Sequence, residues 1–226
     1  MNYTELKRLF EIGRPIVRDS TFSYIHLAYK YKFDNYRLIT DGELLIRGKD
    51  LNIPYFVKQF LELNGEVLMI ANILYDKIIS ITFRTIKGNK AFIKLGNTKA
   101  SFYGLGNLSE DFTFGKPILL VEGQLDRDMM SLIYKNTLGI MTNRLSKGQL
   151  KVLKYLSNKF ILMLDNDDAG ILGQKRIKQN LLGCKIYELN KDVRLKDAGD
   201  LVKLDITNKS LFNEIVENYK AQISLF

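Results

Sequence analysis

The hydrophobic and polar positions along the chain change rhythm near residue 117. Upstream, the pattern predicts a short helix over Tyr3–Ile12 and another over Ile53–Asn64, with Asn52 as N-cap and Pro54 in its first turn. An aromatic-rich stretch, Phe22–Arg37, lies between them and leads to a predicted strand at Glu43–Arg47. Period-two alternation over Val67–Leu74 and Lys77–Phe83 predicts paired strands, with a third at Ala91–Leu95 and a Gly-rich turn at Tyr103–Gly106. Downstream, Ile118–Val121 and Phe160–Leu164 are short continuous apolar runs, as expected of strands buried on both faces. Further strands are predicted at Gly139–Met141 and Cys184–Leu189. Helices are predicted over Gln124–Asn136, Ala169–Leu182 and Lys209–Gln222, and another ends at Leu156, opened by a Ser146/Gln149 capping box. Strands alternating with helices through short connections predict an α/β fold with a parallel sheet.

Composition narrows the class. At 226 residues and 46% apolar, the chain suits one domain or two modest ones. The single cysteine, Cys184, forbids an internal disulfide, and with the single histidine, His26, it falls short of a structural zinc site. Both are expected to be packing residues, as are Met129 and Met130. Apolar runs are far below the roughly 20 residues that span a bilayer. Charges at Glu5, Lys7, Arg8 and Glu11 interrupt any N-terminal signal segment. The expectation is a cytoplasmic protein that meets no membrane (host cytoplasm for a phage-encoded chain).

Charge distribution says more than the net +9. Six basic residues and no acid occupy Lys77–Ser109, and six more with no acid occupy Met129–Leu164. Polyanions are the partners such tracts suggest. Between and beyond them sit carboxylates at strand ends. Glu122 follows the first buried run directly, with Asp126 one helical turn on; Asp165, Asn166, Asp167 and Asp168 follow the second. A third patch, Lys196–Asp200, comes after Cys184–Leu189 at the same predicted end of the sheet. In open parallel sheets this is where functional groups gather. Converging carboxylates repel unless a cation compensates them, and an oxygen-only set favours Mg²⁺ or Mn²⁺. The competing reading makes these acids helix caps, with Asp168 and Asp126 the foremost cases.

The blocks Val121–Asp126 (VEGQLD), Leu164–Gly170 (LDNDDAG) and Lys196–Leu201 (KDAGDL) resemble the three signature blocks of the Toprim domain. The upstream segments Tyr75–Arg84 and Lys90–Leu105 resemble the part that precedes this domain in DnaG-type bacterial and phage primases. The resemblance implies a Toprim-type parallel sheet flanked by helices, preceded by a smaller basic α+β subdomain. The expected division is 1–115 for the subdomain, 116–205 for the Toprim domain and 206–226 for a C-terminal helix. It further implies that Glu122, Asp165 and Asp167 are catalytic and metal-binding, with Asp126 and Asp197 in support. Arg84, Lys90, Lys94 and Lys99 would bind template and nucleotides. The cofactor implied is Mg²⁺ or Mn²⁺. The partners implied are a single-stranded DNA template and ribonucleoside triphosphates, with a replicative helicase and a separate zinc-binding module as further candidates.

The function expected is thus a primase-like catalytic core that makes short RNA primers by nucleotidyl transfer. A Toprim nuclease and a non-catalytic DNA-binding or recombination-mediator protein are the alternatives. Gly42–Lys49 is no phosphate loop, since its glycines are six apart and Asp50 stands where Ser or Thr is required. Gly104–Asn107 reads as a turn with no helix clearly following. The aromatic and basic run Tyr29–Phe33 with Tyr36 and Arg37 suits single-strand binding, or a hairpin with one buried face.

Overall fold

A computed structural model describes residues 1–16, 34–99, 101–112, 115–182, 185–188 and 196–205. The chain divides into two compact units, Met1–Thr98 and Lys99–Phe226.

In the first unit, helix α1 (Tyr3–Ile12) opens with a capping box in which Asn2 and Glu5 each take the other's backbone N–H. Strands β1 (Arg14–Pro15), β2 (Tyr36–Thr40), β3 (Glu66–Leu74), β4 (Lys77–Thr85) and β5 (Phe92–Gly96) form an antiparallel sheet in that order. Helices α2 (Asp41–Arg47) and α3 (Tyr55–Asn64) join α1 on one face of it. Val67, Met69, Ile81, Phe83 and Leu95 on that face pack with Leu6, Leu9, Leu44, Val57 and Leu61. Strand alternation therefore sends Arg84 and Lys94 to the other face. There Arg84 pairs in register with Phe92, and the Lys94 ammonium lies 5.1 Å from the Phe92 ring centroid.

The strand expected at Glu43–Arg47 is helix α2. The local chemistry overrides the apolar run: Glu43 N donates to Thr40 Oγ1 (3.2 Å) and Thr40 N to Glu43 Oε2 (3.3 Å), a capping box in the sequence Thr-x-x-Glu. Helix α3 starts at Tyr55 with Pro54 as N-cap and without a side-chain cap, so Asn52 does not play that part. Of the aromatic and basic run, Tyr36 and Arg37 lie in β2 and residues 29–33 lie outside the described residues. His26 and Cys184 lie outside them too.

In the second unit, strands β6 (Ile118–Val121), β7 (Thr137–Gly139), β8 (Lys159–Met163) and β9 (Lys185–Glu188) form a parallel sheet in the order β7-β6-β8-β9 among the described residues. Helices α5 (Gln124–Ser131), α6 (Lys147–Leu156), α7 (Asp168–Asn180) and α8 (Ala198–Asp205) follow the four strands, α6 after β7 and α8 after β9. Every residue of β6 is fully buried, as the unbroken apolar run requires. Ile118, Leu120, Phe160 and Leu162 pack with Phe102, Leu138, Leu153 and Ile177 in one core. The Gly-rich turn is followed directly by a helix, α4 (Leu105–Asp111), contrary to the expectation of none. Its N-cap Gly104 has φ +84°, and a Cβ there would fall 2.1 Å from Arg127 Nε.

The second unit begins at Lys99, ahead of the change of rhythm, because the segment before α4 is bonded into it. Ser146 Oγ donates to the Lys99 carbonyl, Gln149 Nε2 to the Ser101 carbonyl at 2.9 Å, and Tyr103 exchanges both backbone hydrogen bonds with Gly139 of β7. The closing helix expected at Lys209–Gln222, like the whole of 206–226, lies outside the described residues. The apolar pattern does not predict helix α8 over Ala198–Asp205.

Candidate active site

The two central strands of the parallel sheet carry the leading acids. In register, Val121 of β6 pairs with Met163 of β8. Parallel neighbours end on the same side, so Glu122 and Asp165 leave the sheet at one carboxyl rim. The backbone there is pinned. Ile140 N donates to the Val121 carbonyl (2.9 Å) and Met141 N to the Glu122 carbonyl (3.0 Å), which extends the β7 ladder past Glu122. Met141 makes this bond with φ +58°, a conformation an unbranched L-residue holds only when its surroundings impose it.

The Asp165 side is set by glycine. A Cβ on Gly170 would fall 2.0 Å from the Asp165 carbonyl oxygen, so only glycine lets α7 start this close beneath the strand end. Gln174 Oε1 accepts from Leu164 N at 3.3 Å, holding the last turn of chain before Asp165. The third block is tied in by Asn166 N donating to the Lys196 carbonyl at 2.7 Å. Three sequence-distant blocks thus meet along one rim.

The other candidate acids start helices. Asp167 Oδ1 accepts from Gly170 N at 2.8 Å and is the N-cap of α7. The cap is therefore Asp167, and Asp168, expected in that role, is the first helical residue. Asp197 Oδ1 accepts from Asp200 N at 2.9 Å at the start of α8, and Asp200 Oδ2 accepts from Lys196 N at 3.2 Å. Asp126 sits in the first turn of α5, and a Cβ on Gly123 would lie 2.3 Å from Asp126 Oδ2, so its carboxylate folds back over the strand-to-helix turn. Each of these acids stands at the positive end of a helix dipole, a favourable place for negative charge.

The donor set is oxygen-only, as a hard divalent cation requires, and Asp167 and Asp197 are held in place by one oxygen each. Among the described residues, no three His, Cys, Asp or Glu side chains close into a ready-made metal cage. Carboxylate oxygens are the donors Mg²⁺ prefers; it takes one or two directly and completes its shell with water and substrate phosphates.

Behind the rim lies a charged network that the motifs did not announce. Arg127 Nη1 donates to Asp128 Oδ1 at 2.9 Å, with the two side chains 8% and 4% exposed. Tyr103 Oη donates to Asp128 Oδ2 at 2.6 Å, and Arg127 Nε donates to the Thr137 carbonyl at 3.3 Å. The network ties α5 to β7 and to the segment before α4. Its only sequence signal is an adjacent Arg-Asp pair on a helix whose other side buries Leu125, Met129 and Met130. At the entry to β6, Tyr134 Oη donates to the Pro117 carbonyl at 2.7 Å, and burial raises the pKa of that hydroxyl.

The basic candidates fall on both units. Arg84 and Lys94 stand on β4 and β5, Lys90 lies in the exposed β4–β5 connection, and Lys99 opens the second unit.

Comparison with known proteins agrees with this fold. The Toprim-like family profile matches residues 119–202. No curated protein sequence matches the chain. Among solved structures, the Aquifex aeolicus primase (zinc-binding and RNA polymerase domains) superimposes with a TM-score of 0.72 at 17% identity, over 96% of this chain and 60% of that one. This chain therefore spans about three-fifths of that protein's length. A DnaG primase catalytic domain bound to single-stranded DNA matches at TM-score 0.67 and 14% identity, over 96% and 78%. The primase fragment of the bacteriophage T7 primase-helicase matches at 0.52 and 18%, over 66% and 63%. Among the described residues no helix is long and apolar enough to cross a membrane. The 119–202 segment is a Toprim-like domain, and the chain has the fold of primase catalytic cores.

Proposed function

We propose that the chain is a primase-like catalytic core that joins ribonucleotides on a single-stranded DNA template. The observation that carries this reading is the parallel pairing of β6 with β8, which delivers Glu122 and Asp165 to one rim from segments far apart in sequence. Mg²⁺ or Mn²⁺ would be held by Glu122, Asp165 and Asp167, with Asp126 and Asp197 in support. When bound, such a cation supplies neutralising charge to the transferring phosphate and to the attacking oxygen.

The protein's own share is positioning. Gly170 and Gln174 fix the backbone that presents Asp165, and Met141 fixes that of Glu122. Holding a primer 3′-oxygen in line with the α-phosphate of the next nucleotide makes the step effectively unimolecular, and pyrophosphate leaves. Arg84, Lys90, Lys94 and Lys99 would neutralise template and triphosphate, a grip that weakens with salt. One solved neighbour carries a zinc-binding domain and another is the primase fragment of a primase-helicase protein, which supports a zinc-binding module and a replicative helicase as proposed partners.

The test is incubation with single-stranded DNA, labelled nucleoside triphosphates and Mg²⁺ or Mn²⁺. Oligoribonucleotide growth is expected, and it is abolished in Asp165→Asn with the circular-dichroism spectrum unchanged. Undiminished synthesis in that variant would refute the site. Template cutting would assign a nuclease, and retention without reaction a binding protein.

A further inference from the structure

The second acid-free tract, Met129–Leu164, is not used by the reaction above, and four of its six cations, Arg144, Lys147, Lys151 and Lys154, lie on or just before helix α6. Helix α6 buries Gln149 and Leu153 against the core and turns Lys147, Lys151 and Lys154 to solvent, at i, i+4 and i+7. Those spacings place them on one face, about 10 Å from first to last at 1.5 Å per residue. Tyr155, 90% exposed, stands among them. At the amino end of the stripe Arg144 is exposed two residues before the N-cap Ser146, whose hydroxyl holds the Lys99 carbonyl.

An ordinary solvated helix face balances its charges, and this chain does so elsewhere. On α1, Lys7 and Glu11 pair at i, i+4. Helix α7 has Asp167 and Asp168 at its start and Lys178 in its last turn, matched to the dipole. Helix α6 does neither. It has no acid in its first turn, it places Lys147 at the positive end of its own dipole, and it repeats like charges at i, i+4. None of Lys99, Arg144, Lys147, Lys151 and Lys154 is ion-paired among the described residues. A row of cations that disfavours its own helix is compensated when a polyanion lies along it.

We infer that the solvent face of α6, with Arg144 at its head, is a second nucleic-acid contact surface that takes the sugar-phosphate backbone of a single strand, with Tyr155 stacking a base. Charge complementarity selects a polyanion, and an exposed aromatic set among lysines suits a single strand. A membrane-surface helix needs a free apolar face to insert, and the apolar face of α6 is already in the core. This surface does not depend on the chemistry at the carboxylate rim.

The experiment is fluorescence anisotropy of a labelled oligothymidylate against the full chain over a range of salt concentrations. In the triple variant Lys147→Gln, Lys151→Gln, Lys154→Gln, the slope of log K against log salt should fall by about 2, at roughly 0.7 for each phosphate no longer neutralised. Tyr155→Ala should keep the slope and weaken binding about five- to 150-fold. The doubly substituted Arg84→Gln, Lys94→Gln variant should retain the α6 share of the slope. An unchanged slope in the triple variant overturns the inference and leaves the carboxylate assay untouched. So does failure of the wild type to bind the oligonucleotide, or a triple variant that binds the oligonucleotide normally and is impaired only toward phosphatidylserine vesicles or polyglutamate.

Discussion

Removing the Asp128 carboxylate should destabilise the second unit more than any single change on its surface. The carboxylate is buried and takes two donors, Arg127 Nη1 at 2.9 Å and Tyr103 Oη at 2.6 Å. In Asp128→Ala the guanidinium, itself 8% exposed, keeps the Thr137 carbonyl as an acceptor but loses its counter-charge. Breaking one side of a buried ion pair typically destabilises by about 3–5 kcal/mol. The buried Tyr103 hydroxyl loses a charged acceptor at the same time, a cost of the same order, about 1–3 kcal/mol, that does not simply add. Against a typical stability of about 5–15 kcal/mol, a loss near ~4 kcal/mol should shift the urea midpoint markedly. Tyr103→Phe should lose about 1.5–3 kcal/mol, the worth of a hydrogen bond to a charged group. The double variant Arg127→Met, Asp128→Leu should recover most of the loss, because it removes both charges instead of stranding one. The quantity to measure is the coupling energy of that double-mutant cycle from equilibrium unfolding. A loss below about 1 kcal/mol in Asp128→Ala, or additivity in the cycle, would refute the account.

Two further outcomes follow from the rim. Gly170→Ala must push a methyl into the Asp165 carbonyl, so it should lower stability by about 1–3 kcal/mol and abolish primer synthesis, whereas Gly42→Ala, with open space around it, should stabilise by about 0.5–1 kcal/mol; thermal melts and the priming assay read both. Asp167→Ser should keep the α7 cap and near-native stability yet lose activity, while Asp167→Ala should lose both, at about 1 kcal/mol for the cap; equal activity in the Ser variant and the wild type would make Asp167 a cap alone.

What could be read from sequence tracks how local the physics is. The buried strands β6 and β8, the paired β3 and β4, and the Ser146 and Gln149 box follow from period and capping chemistry within a few residues. The acids of the rim are placed by sequence because their blocks follow predicted strands, and the parallel pairing of β6 with β8 brings two of those strand ends to one side. Residues 43–47 misled because Leu44, Leu45 and Ile46 form an apolar run, while Thr40 and Glu43 decide the matter through two hydrogen bonds. Helix α8 has little apolar signal because its start rests on hydrogen bonds of Asp197 and Asp200, and Asp197 sits in a block whose resemblance implies a supporting metal role instead. The Arg127–Asp128–Tyr103 network was invisible for a different reason. Tyr103 and Asp128 lie 25 residues apart, and nothing in either neighbourhood marks the other.

The pairing of Tyr103 with Gly139 has a consequence for behaviour at high concentration. Strand β7 lies at the border of the parallel sheet, where unclaimed amides and carbonyls invite a neighbouring molecule to add its own strand. At Gly139 the chain fills that border with itself, using one tyrosine whose hydroxyl is anchored elsewhere, so a second molecule finds fewer open amides and carbonyls along β7.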